Sequence, residues 1–156
     1  MIKIPEKEGR LSAAKAAHIE AVIAFVKRKT EGYRRDLFAN ISRVMLVSGT
    51  FEDMSARDDW SWLSDFILAD VKTLKQMIGR PELLQFDEFK RMYSDYFSAG
   101  SDKYVDASTK YNAYMFIENL GVTICPYCDE EYLDVVENGN GGKLRTLEID
   151  HFFPKG

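Results

Sequence analysis

Two short clusters hold the residue types that could do chemistry. Cys125-Pro126-Tyr127-Cys128 sets two thiols three residues apart, and two thiolates at that spacing can grip one zinc ion through a tight turn. A tetrahedral structural site takes four ligands, and these are the only two cysteines, so they make half of one. Two rivals stay open: a redox dithiol, which needs the pair at a helix N-terminus after a strand, and a chance spacing. The second cluster is Glu148-Ile149-Asp150-His151. In an extended strand Glu148 and Asp150 share one face. An adjacent Asp and His can set a hard oxygen, suited to Mg2+, beside an imidazole able to take a proton from water near neutral pH. Those are parts for metal-assisted phosphodiester hydrolysis. On its own an Asp-His pair is more often a surface or capping pair. Its weight comes from the Cys pair, which ends 22 residues ahead of Asp150.

These clusters need elements to hold them. The 156 residues suffice for one ordinary domain, or for a helical domain with a small module. A hydrophobic fraction of 46% with 13% aromatics can bury a core, which argues against wholesale disorder. No apolar run approaches a membrane span, and the start lacks a secretory apolar core, so no membrane partner and a cytoplasmic location are expected. A disulfide is disfavoured there.

Helical periodicity runs from Leu11 to Thr30, with Ser12 as the expected N-cap, and from Tyr33 to Val47. Ser48-Gly49-Thr50 breaks the second stretch. A third helix is predicted from an N-terminus at Ser55–Asp59 to Ile78, a fourth over 86–98 and a fifth over 106–119. Gly121 is placed to close the fifth in a left-handed C-cap. The aromatics along these stripes, among them Trp62, Phe97 and Tyr111, read as core rather than as a base-stacking platform. His18 reads as an ordinary helical residue. Beyond Gly121 the texture changes: two β-compatible runs, 132–136 and 144–149, flank the turn-rich Asn138-Gly139-Asn140-Gly141-Gly142 and suggest a β-hairpin. The expected fold is mainly α: a helical domain over 1–120, then over 121–156 the beginning of a small module, with a zinc knuckle and a β-hairpin.

The net charge of −4 argues against coating nucleic acid by bulk charge. The sign is uneven: residues 1–50 carry +5 and the rest −9. Lys27, Arg28, Lys29, Arg34 and Arg35 form a basic stretch that reads first as a solvated helix face and end, and second as a phosphate-contacting patch.

Taken together, Cys-Pro-Tyr-Cys, a hairpin, and Glu-Ile-Asp-His-Phe-Phe-Pro-Lys resemble bacterial HNH endonucleases of the ββα-metal class. The lead-in Tyr111-Asn112-Ala113-Tyr114 and Leu120-Gly121-Val122-Thr123-Ile124 is similar to HNH proteins whose nuclease module follows a helical domain. Some of these act in anti-phage defence, in Septu-type and retron-associated systems with a companion ATPase. The resemblance spans about residues 111–156. It implies that Cys125 and Cys128 are half of a structural zinc site, that Asp150 binds a catalytic Mg2+ or Mn2+, that His151 is the general base, and that Glu148 is a further acidic metal-side position. It implies DNA as the partner. Asp129-Glu130-Glu131 stands where relatives often carry Asn-Arg, which makes the surroundings acidic. The second Cys pair and the helix that complete such a motif do not occur before Gly156, so this stretch alone is expected to be inactive. The alternative is an inert module that docks on a companion protein such as an ATPase, or pairs its zinc half-sites as a homo-oligomer.

Overall fold

The structure, a computed structural model, describes residues 9–43, 45–69, 91–98, 102–121, 135–137 and 143–145. It is mainly helical. The elements in chain order are α1 (Arg10–Lys27), α2 (Glu31–Ser42), α3 (Phe51–Ala56), α4 (Ser61–Ile67), a π-helical turn (Met92–Phe97), α5 (Ala113–Leu120), and strands β1 (Val135–Glu137) and β2 (Lys143–Arg145). The strands pair antiparallel, Val135 opposite Arg145 and Glu137 opposite Lys143. Contacts group the chain into two units, Met1–Ala21 with Arg91–Gly156, and Val22–Lys90. The division falls inside α1.

Helix α1 buries Ala14, Ala21, Val22, Phe25 and Val26, positions spaced by three, four and seven, as one face of a helix requires. It starts two residues before Ser12, so Ser12 is not its N-cap. Helix α2 starts at Glu31 because Thr30 caps it, its side chain accepting from the Tyr33 amide. It ends at Ser42, five residues before the predicted Val47. Thr50 explains that early end: it caps α3 by accepting from the Asp53 amide, so the chain between must turn rather than coil. Leu46, within the span predicted for this helix, is fully exposed at 106%.

The helix predicted from an entry at Ser55–Asp59 starts at Ser61 and ends at Ile67 as α4; a separate short helix, α3, precedes it, and positions 70–78 of the predicted span lie outside the described residues. Asp58 takes φ +50°, a left-handed conformation that Asp tolerates better than most residues. Its carboxylate accepts from the Trp60 indole N–H at 2.6 Å, and the Asp59 carboxylate accepts from the Ser61 amide at 3.0 Å. At Ser61 a side-chain oxygen thus takes over a backbone donor where the chain turns. The core of this unit gathers Leu37, Phe38, Ile41, Phe51, Met54, Trp62 and Leu63. Trp62 meets Phe38 edge-on at 5.2 Å, and Phe38 meets Phe51 at 5.9 Å.

The predicted helix over 106–119 starts seven residues late. Residues 105–111 form a tight bridged loop instead: the Val105 amide donates to the Tyr111 carbonyl and the Tyr111 amide to the Asp106 carbonyl. Asp106 holds it together, its carboxylate accepting from the Ser108 and Thr109 hydroxyls at 2.7 and 2.8 Å. Desolvation pushes this buried carboxyl's pKa up, but those hydrogen bonds outweigh it and hold the group below its ordinary value. Asn112 then caps α5, its Oδ1 accepting from the Tyr114 and Met115 amides. Gly121 ends α5 at φ +60°, the left-handed C-cap foreseen. A side chain at 121 would also run into the Arg10 guanidinium. Among the described residues no helix is long and apolar enough to cross a membrane.

Candidate functional site

Cys125, Cys128, Glu148, Asp150 and His151 all lie outside the described residues. What is described is the framework on either side of them. Helix α5 ends at Gly121, ahead of Cys125 in sequence, and the paired strands fall in the sequence interval between the Cys pair and the Asp-His element. Among the described residues there is no group of three or more His, Cys, Asp or Glu side chains able to hold a metal ion.

The site that sequence reading missed is His18. It sits half-buried on the inward side of α1, one turn beyond Ala14. Its Nδ1 lies 3.0 Å from the Tyr111 hydroxyl and its Nε2 lies 3.2 Å from the Tyr93 hydroxyl. Phe97 and Phe116 close the ring in at 5.5 and 5.7 Å. Removal from water disfavours the imidazolium and lowers the His18 pKa from 6.5 to about 4. The same burial pushes Tyr93 up to about 12 and Tyr111 higher still. The ring is therefore neutral at physiological pH. The partners are 75 and 93 residues away in sequence, beyond the reach of any local pattern. The one available signal was the type itself: a histidine on the buried side of an Ala-rich stripe must find hydrogen-bond partners.

The basic stretch is largely engaged at home. Lys27 pairs with Asp58 at 2.7 Å and lies over Trp60. The Lys27 ammonium first, and then the Trp60 indole, hold the Asp58 carboxyl below its usual range. Arg28 and Lys29 lie over the Phe25 ring at 5.8 and 4.4 Å. Arg35 pairs with Glu31 and Glu52 and lies over Phe51. These cations face acids and rings of their own unit, which fits a solvated helix face better than a phosphate track. Beside exposed Leu46, a cleft of about 520 Å³ is lined by Met45, Val47, Met54, Trp62 and Asp65 among others.

No family model, curated protein or solved structure matches the chain.

Proposed function

We propose that this chain carries part of an HNH-type, metal-dependent endonuclease acting on DNA in the cytoplasm, as an effector of anti-phage defence. One observation carries the reading: a CxxC pair followed, across a turn-rich interval, by Glu148-Ile149-Asp150-His151. The antiparallel pairing of 135–137 with 143–145 supports it, since a hairpin is what must bridge the two clusters. In this reading the helical domain covers 1–120 and the nuclease module begins at 121.

The donor chemistry suits the ions. Two thiolates fit half of a structural zinc site, and zinc there contributes folding free energy. The Asp150 carboxylate, with Glu148 beside it in sequence, fits a hard divalent cation such as Mg2+ or Mn2+, which when bound supplies charge neutralisation at the phosphate. His151 takes the proton from the attacking water. The two Cys residues serve the fold, whereas Asp150 and His151 serve the chemistry.

The test uses the protein as its natural reading frame encodes it, incubated with supercoiled plasmid and Mg2+ or Mn2+. Cleavage is expected, and His151→Ala should abolish it while zinc content stays unchanged. Full activity in that variant removes His151 from the base role. Cys125→Ser should instead lower both zinc content and folding.

A second reading, a module that docks on a companion protein such as an ATPase, is favoured by fully exposed Leu46 beside the Met45–Trp62 cleft. Here a neighbouring gene product co-purifies even with His151→Ala, and Leu46→Asp releases it. Failure to recover any partner counts against this reading.

A further inference from the structure

We infer that His18 is a directional hydrogen-bond relay that seats the start of α5: Tyr111 donates to Nδ1, and Nε2–H donates to Tyr93, so that protonating the ring unlatches the helix. This inference is independent of the nuclease reading.

The direction follows from counting hydrogens. A neutral imidazole has one N–H and one bare nitrogen, so one tyrosine must donate to it and the other must accept. Tyr111 is only 2% exposed, and the His18 ring is its hydroxyl's sole hydrogen-bond partner among the described residues. If Nδ1 carried the proton, the Tyr111 hydroxyl would accept it and its own hydrogen would be left buried with nothing to bond. That is the costly arrangement for a buried donor. The Tyr111 hydrogen therefore points at Nδ1, and the ring proton sits on Nε2. Tyr93 is part-exposed where Tyr111 is buried, so it is the better place for a hydroxyl hydrogen that the ring does not use.

The relay matters because of what Tyr111 holds. Its backbone closes the 105–111 loop through both bonds of the bridge to Val105 and Asp106. The next residue, Asn112, caps α5 and ties back to the Lys103 carbonyl through its Nδ2 at 3.0 Å. Losing the Tyr111–His18 bond frees the side chain at the hinge of that arrangement.

Protonation makes both ring nitrogens donors, so Tyr111 must turn round and bury its hydrogen unpaired. Among the described residues nothing nearby relieves the new charge. On α1, Lys15 and Glu20 are exposed; on the π-helical turn and the residue before it, Arg91 and Asp95 are exposed; on the loop and α5, Lys110 and Glu118 are exposed. Asp106 is committed to Ser108 and Thr109. Among the described residues Tyr93 and Tyr111 are the titratable groups that face the ring, and both are neutral in this range.

Nitrogen-15 NMR of the ring nitrogens in the 156-residue chain tests this directly. His18 and His151 are the two histidines, and His151→Ala assigns the signals. The expected result at pH 7 is a proton on Nε2 and a bare Nδ1 at His18. On acidification that pattern should persist well below the ordinary histidine range, and hydrogen-exchange protection of 113–120 should fall in step with its loss. Tyr111→Phe should speed exchange across α5 by about tenfold at pH 7, the weight of one net hydrogen bond, and remove its acid step. A proton on Nδ1, a titration at the ordinary value, or an α5 that stays protected after the ring is charged would each overturn the inference. The ring-nitrogen readout needs no variant at His18 or Tyr111, so it stands even if Tyr111→Phe fails to fold.

Discussion

The two units solve the same packing problem with different materials. In the described part of Val22–Lys90 the rings of Phe38, Phe51 and Trp62 pack on one another, and charges such as Lys27–Asp58 and Arg35–Glu31 stay at the solvent edge. In the other unit a histidine and two tyrosine hydroxyls stand among Phe97 and Phe116, and their hydrogen bonds are inside. The first kind of core depends on volume alone. The second depends on volume and on protonation state, so it is the part that acid should find first.

The largest effect should come from removing volume. Trp62→Ala, at a position 3% exposed, should cost about 3–5 kcal/mol in denaturant unfolding with no change in pH dependence. A cost below about 1 kcal/mol would show that the Phe38–Trp62 contact is not the centre of that core. Acid should come next, and on the other unit. The His18 pKa is lowered on folding, from 6.5 to about 4, so its stability contribution is complete above pH 6.5 and is lost as pH falls toward 4. That window amounts to roughly 3 kcal/mol. Denaturant titrations between pH 7 and pH 4 should show the decline, and His18→Gln should flatten it. An unaltered slope in that variant would assign the acid response elsewhere.

Smaller effects sharpen the contrast. Asn112→Ala removes the cap of α5 and should cost about 1 kcal/mol, read as lost helicity and faster exchange at 113–116. Least of all, Asp58→Asn breaks the exposed pair with Lys27. Its effect on unfolding should sit within the error of the titration and vanish in high salt. A large loss there would mean that the surface charges of Val22–Lys90 matter as much as its interior.

Much of this arrangement was legible beforehand, and the misses share a cause. The apolar stripe of α1 and the left-handed close at Gly121 follow from periodicity and from glycine's freedom at positive φ, both local properties. The helix predicted through 106–112 failed because the side chains of Asp106, on the Ser108 amide, and of Asn112, on the Lys103 carbonyl and the Tyr114 and Met115 amides, offer the backbone partners that outcompete helical bonds. The same competition, Asp59 on the Ser61 amide, separates α3 from α4. His18 went unread because its hydrogen-bond partners lie far along the chain. For the chemistry, Cys125, Cys128, Glu148, Asp150 and His151 were nominated by type and spacing, and their geometry lies outside the described residues. The nuclease reading therefore rests on those spacings and on the strand pairing between them.

The long reach of His18 also bears on how the protein is made. A ribosome adds about 5–20 residues per second. All of Phe38, Phe51 and Trp62 have therefore been synthesised before Tyr93 exists, and Tyr111 follows later still. For several seconds of synthesis the nascent first half of α1 waits with an Ala-rich face and an unsatisfied imidazole. A histidine in that waiting helix still titrates near its ordinary value and stays largely hydrated, which lowers the risk that the exposed stripe sticks to another chain. The same side chain is thus a solubilising group early in synthesis and an interior one at the end.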